Sequence, residues 1–139
     1  MTGGSVAIGL AIAQVVHEGQ KEFQGIDMLI NNTCTGSEET IMEASNEKWQ
    51  YFWDLHVMAA IRLSRELVPL LQVQGGGVII NNASFCATQP SGYEPIYNTT
   101  KAALVQFWKC LANELIKENI PIPEKIFECM EWIKKARKK

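Results

Sequence analysis

No Cys-x-x-Cys pair occurs in this sequence, and no histidine stands at metal-ligand spacing from Cys34, Cys86, Cys110 or Cys129. A metal site is therefore not expected, and free thiols in a reducing compartment are the reading that follows. No apolar run approaches the ~18 residues that a membrane span needs. The opening residues carry an apolar stretch with Ala11-Ile12-Ala13, in the manner of a cleavage site, but no positive charge precedes it. That argues against a signal peptide. A cytoplasmic protein with no membrane partner is expected. A marked excess of either charge is also absent: the formal net charge is -2, which gives no reason to expect nucleic acid. The one basic cluster, KKARKK at 134–139, reads as a solvated helix end favoured by the helix dipole. Internal repeats and low-complexity segments are absent.

What is present suits one domain over residues 1–139, with 47% hydrophobic and 20% charged residues and room for a modest core. Ser5 to about His17 reads as a helix, with Gly19 as its stop. IDMLINN, residues 26–32, reads as a buried strand. A long helix is expected from about Asn46 to Leu71. Trp49, Phe52, Trp53, His56, Ala60, Leu63 and Leu67 follow one helical stripe, and Val57, Ile61, Val68 and Leu71 a second. GGGVIINNAS, residues 75–84, is a glycine turn and a second buried strand. An irregular loop over 85–94 leads into a helix from Pro95 or Ile96 to Lys117, with Leu104, Phe107, Trp108, Leu111 and Leu115 inward. A last amphipathic helix is expected from Pro123. Strands alternating with helices argue for an α/β layer with parallel pairing.

Tyr97 and Lys101 stand four residues apart, on one face of the expected helix and one turn from each other. A cation within ~4–6 Å of a phenol lowers its pKa, by roughly one to three. Such a tyrosine can exchange a proton with an alcohol or alkoxide near neutrality. Ser84 ends the preceding strand, where its hydroxyl is suited to hold a substrate oxygen beside the phenol. Ligands in open α/β sheets bind at the carboxyl ends of strands, and both expected strands end there in polar residues, Asn31-Asn32 and Asn81 to Ser84.

From TGGSVAIGLAIA through IDMLINN and GGGVIINNAS to YNTTKAALVQFWKCLANEL, the chain resembles the short-chain dehydrogenase/reductase family. The resemblance implies a Rossmann-like three-layer fold with a parallel sheet. It implies hydride transfer between NAD or NADP and a carbonyl/alcohol substrate, with Ser84 orienting the carbonyl and Tyr97 transferring the proton. Lys101 would lower the Tyr97 pKa and bind the nicotinamide ribose. Gly3, Ser5, Ile8, Gly9, Asn31 and Asn32 would line the cofactor cleft with Tyr97 and Lys101. The family's two long helices pack across a dimer interface, which implies a homo-oligomer through 46–71 and 95–117.

Several positions depart from the family pattern. Ala7 replaces the middle glycine of the phosphate loop, and no first strand is recognisable before it. The short interval between Gly9 and Asp27 lacks the second and third strand–helix units, which carry the NAD/NADP selector. No C-terminal strands are recognisable either, so the fold is expected in abbreviated form. Thr33-Cys34 stands where the family has Ala-Gly; Cys34 is a passive small residue or a reactive thiol. His56 replaces an asparagine that holds a relay water in the family. It is either a relay group or a residue packed in the helix. His17 carries no motif and is expected on a helix surface. One reading from another class stands beside the enzyme: an inactive shortened remnant that associates through its two long helices.

Overall fold

The structure, a computed structural model, describes residues 14, 16–22, 25, 26 and 28–117. The expected first half of the N-terminal helix and the helix from Pro123 lie outside these residues. Residues 16–22 are helical (α1), with His17 exposed, and the helix runs through Gly19 instead of stopping there. A glycine in an exposed helix costs about 1 kcal/mol relative to alanine, which weakens a helix without ending it.

The two strands form as expected but shorter. β1 (Met28–Asn31) and β2 (Val78–Asn81) pair in parallel, Met28 opposite Val78 and Asn31 opposite Asn81. Alternation along the pleat sends Leu29 and Ile79 to the same face. There Ile79 joins Leu67, Leu71 and Trp108 in the core, with Val16, Ile26, Leu29, Val68 and Leu111 packed around them. The other face of β1 carries Met28 and Ile30, both exposed. The expectation of a strand buried on both sides is thus corrected for β1: its alternate apolar residues lie at a surface.

The long helix between the strands is read in the right place but is not uniform. α2 (Asn46–Trp53) starts at Ser45, whose extended backbone and hydroxyl receive the Lys48 N–H, an N-cap. Residues Asp54–Met58 form one π turn, and α3 (Ala59–Val73) continues from it. α3 ends in a Schellman arrangement. Gly76 N–H bonds to Leu71 O at 2.8 Å and Gly75 N–H to Gln72 O at 3.2 Å. Gly75 has φ 92, a value that suits glycine alone. The Gln74 side chain then ties this end to the start of β1, donating to Ile26 O at 2.7 Å. After β2 a short 3-10 turn (Phe85–Ala87) leads to α4 (Pro95–Lys117). α4 buries Ile96, Leu104, Trp108 and Leu115 and packs on β2, on α2 and on the π turn. No helix among the described residues is long and apolar enough to cross a membrane.

Candidate active site

The carboxyl ends of the two strands are cross-braced. Asn31 Nδ2 donates to Asn81 Oδ1 at 2.7 Å, and Asn82 Nδ2 to Asn32 Oδ1 at 2.6 Å. Asn31 Oδ1 and Asn81 Nδ2 are buried without a partner. Just beyond, one ammonium grips both chains. Lys101 Nζ donates to Asn82 O at 2.8 Å and to Thr33 O at 3.4 Å, and its residue is 0% exposed. Burial lowers its pKa, and an interaction with Cys34 opposes that. An ammonium has three N–H donors; two go to backbone carbonyls here.

Tyr97, half-buried in the first turn of α4, stands over this ammonium, with Nζ 5.6 Å from its ring centroid. Cys34 Sγ–H donates to the Tyr97 hydroxyl at 3.5 Å. Burial pushes the phenol above its ordinary value of 10.0. Contact with Cys34 adds to that rise, and a hydrogen bond with Ser84 opposes it. The direction is opposite to the lowering expected from a cation one turn away. The geometry gives the reason: Lys101 directs its N–H groups at Asn82 O and Thr33 O, below the ring, and the phenol pays the desolvation of its charged form. Ser84 itself caps the 3-10 turn, its Oγ accepting from Cys86 N–H at 3.2 Å.

His56 occupies the middle of the π turn, a helix irregularity often found at functional positions. Its ring is 3% exposed and meets Tyr97 edge-on at 5.8 Å between centroids. Nε2 accepts from Thr35 N–H at 3.3 Å, and Nδ1 lies 2.8 Å from Thr100 Oγ1. Since Nε2 accepts, this arrangement assigns the ring proton to Nδ1. Thr100 Oγ1 then receives that proton and donates to Ile96 O at 2.9 Å. Burial, with the Lys101 charge adding to it, lowers the His56 pKa from 6.5 to about 4. The ring is neutral at pH 7 with both nitrogens engaged by protein. Both ring nitrogens of His56 have hydrogen-bond partners within the protein, one on the segment after β1 and one on α4.

Ser84, Tyr97, Lys101 and His56 thus surround one place, with Asn31 and Asn32 at its strand-end margin. Gly3, Ser5, Ile8 and Gly9 lie outside the described residues. Reasoning from sequence missed Thr100, which is 0% exposed. Its signal was a threonine three residues after Tyr97, on the helix side that must meet His56. It also missed the contact of Cys34 with Tyr97, which no spacing encodes.

A parallel α/β unit with a serine, a tyrosine and a lysine gathered at the strand ends defines the class, a Rossmann-like fold with its candidate site at the carboxyl ends of the strands. A family model described as short chain dehydrogenase matches residues 1–124. The chain belongs to the short-chain dehydrogenase/reductase family. It is 33% identical over 111 residues to dehydrogenase/reductase SDR family member 4 of Homo sapiens, covering 78% of this chain and 40% of that protein. It is 31% identical to a 3alpha-hydroxysteroid dehydrogenase of Mediterraneibacter gnavus, covering 80% of this chain and 44% of that one. Among solved structures, L-sorbose reductase from Gluconobacter frateurii, complexed with NADPH and L-sorbose, superposes with a TM-score of 0.76 and 59% identity. That match covers 81% of this chain and 43% of the reductase. The chain therefore spans less than half the length of these relatives.

The family implies a nicotinamide nucleotide, and the residues described here fit its nicotinamide end. The Tyr97 hydroxyl, and the Lys101 ammonium with a third N–H beyond its bonds to Asn82 O and Thr33 O, would hold that end.

Proposed function

We propose that the protein is an NAD(P)-dependent oxidoreductase that interconverts a carbonyl and an alcohol, with Tyr97 as the acid/base. The convergence of Ser84, Cys34 and Lys101 on the Tyr97 side chain is the observation that carries this reading. The cofactor, when bound, supplies or accepts the hydride. Ser84 holds the substrate oxygen next to the phenol by hydrogen bonding. In reduction, Tyr97 gives its proton to that oxygen as the carbon–oxygen double bond becomes a single bond, leaving a phenolate. Lys101, held by Asn82 O and Thr33 O beneath the ring, would offer its remaining N–H to the nicotinamide ribose, while the Ser84 hydrogen bond favours the phenolate. His56 positions this machinery: it pins the loop after β1 to α4 through Thr35 and Thr100.

The likeness to L-sorbose reductase supports NADPH as cofactor and a sugar-like ketone as substrate. Association of copies through α2–α3 and α4 is part of the proposal, since exposed Tyr51 and Ile116 lie on these helices. A cytoplasmic setting accords with the free thiols Cys34, Cys86 and Cys110. The test is equilibrium titration of the intact protein with NADPH and NADH, read by tryptophan fluorescence. Binding of at least one below about 1 mM is expected; saturation by neither contradicts the proposal.

A further inference from the structure

We propose that Cys34 is a redox modification site: a hydroperoxide converts its thiol to a sulfenic acid, and the added oxygen shuts the acid/base by engaging Tyr97 and Lys101. This names a regulation of the oxidoreductase site proposed above and rests on that reading.

Three observations carry the assignment. The first is contact with the reacting group. Cys34 Sγ lies 3.5 Å from the Tyr97 hydroxyl, and the residue is exposed. A small reagent in solvent can therefore reach a sulfur that touches the phenol.

The second is a buried donor still open beside that sulfur. Lys101 is 0% exposed, and two of its three N–H groups go to Asn82 O at 2.8 Å and Thr33 O at 3.4 Å. Among the described residues the third has no partner. Burial lowers the Lys101 pKa, and attraction between the charged forms of Lys101 and Cys34 opposes that. Reactive cysteines occupy such electropositive, accessible surroundings. Cys110 supplies the contrast: it is exposed too, but its contact at 4.0 Å is the uncharged Gln106 Nε2.

The third is fixation on both sides. Thr33 O is held by the Lys101 ammonium, and Thr35 N–H by His56 Nε2 at 3.3 Å. The backbone that carries the thiol is thus tied to α4 and to the π turn.

The step balances without a further reagent. One peroxide oxygen passes to the Cys34 sulfur; an O–O bond breaks and an S–O bond forms. With hydrogen peroxide, thiol and oxidant give sulfenic acid and water, the sulfur losing two electrons and the peroxide gaining them. The new oxygen accepts hydrogen bonds from the Tyr97 hydroxyl and from the third Lys101 N–H. Negative charge there opposes formation of the phenolate. The ammonium also loses the donor it would offer to the ribose. Two equivalents of a small thiol reverse the change, giving the Cys34 thiol, a disulfide and water.

The test treats the intact protein with hydrogen peroxide and dimedone, which traps sulfenic acids, and reads each cysteine peptide by mass spectrometry. NADPH-dependent carbonyl reduction is measured on portions oxidised without dimedone. Cys34 should label at least about tenfold faster than Cys110. Activity should fall in step with oxidation of Cys34 and return with dithiothreitol. C34A, whatever its starting rate, should keep that rate through the same treatment. Labelling of Cys34 no faster than that of Cys110 overturns the proposal. So does a C34A protein that loses activity to peroxide as wild type does, or wild-type activity that survives full oxidation of Cys34. An untreated protein that reduces no carbonyl contradicts the oxidoreductase reading instead, and the labelling then still decides the modification site.

Discussion

The backbone N–H of Thr35 donates to His56 Nε2 at 3.3 Å, so the loop after β1 hangs from a ring on the helix between the strands. Because Nδ1 meets Thr100 at 2.8 Å, one neutral imidazole joins three segments of the site.

Acid should undo this junction. The His56 pKa is about 4 in the folded protein, against an ordinary 6.5. Protonation therefore favours the unfolded chain. The contribution is complete above pH 6.5 and is lost as pH falls from there toward 4, amounting to about 3 kcal/mol at most. Urea denaturation from pH 7 to pH 4 should show a steeper fall for wild type than for H56N. Equal slopes would mean that His56 is not held neutral by its surroundings.

Removing the Thr100 hydroxyl leaves a buried N–H without an acceptor. T100V should cost about 1–3 kcal/mol, while T100S, which keeps the acceptor, should cost less. The comparison is made by thermal or urea unfolding. A T100V protein as stable as wild type would contradict the tautomer assigned to His56.

Tyr97 sits between opposing influences, and two variants separate them. Contact with Cys34 raises the phenol pKa, and the Ser84 hydrogen bond lowers it. Alcohol oxidation needs the phenolate. C34A should move the rising limb of its pH–rate profile to lower pH, and S84A to higher pH with a loss of rate. Shifts of the same sign in both variants would contradict the site as described.

Gly36 and Glu94 should both respond mildly to substitution. The clash in G36A falls on the free end of the flexible Glu94 side chain, so its stability cost should stay within about 1 kcal/mol. E94G should gain about 0.5–1 kcal/mol from relief of the left-handed backbone at φ 60, less the lost favourable charge at the helix start. Urea unfolding of both variants checks this, and a G36A protein destabilised by several kcal/mol would contradict it.

How far these relationships could be read from the residues depended on their range. The start of α4 was legible because Pro95 suits a first helical turn, and its core stripe because Leu104, Trp108 and Leu115 recur at helical spacing. The helix across 46–71 was legible as a length of periodic residues. Its π turn was not, since one extra residue per turn barely disturbs an apolar pattern. Tyr97 and Lys101 share a face by spacing alone. The placement of the ammonium beneath the ring depends on two carbonyls, Asn82 O and Thr33 O, that only the parallel strand register brings together. For the same reason the pKa of Tyr97 was misread: spacing shows the cation but not the desolvation. Glu94 gave no signal, because a positive φ at a glutamate is imposed by the surrounding fold.

The most direct measurement is carbonyl-dependent oxidation of NADPH by the intact protein and its Y97F variant, with NADPH affinity measured alongside. The account predicts a rate loss of about 10²- to 10⁴-fold in Y97F, with nucleotide affinity little changed. A Y97F protein that binds NADPH and reduces the same carbonyl within tenfold of the wild-type rate would show that the phenol over Lys101 is not the proton donor.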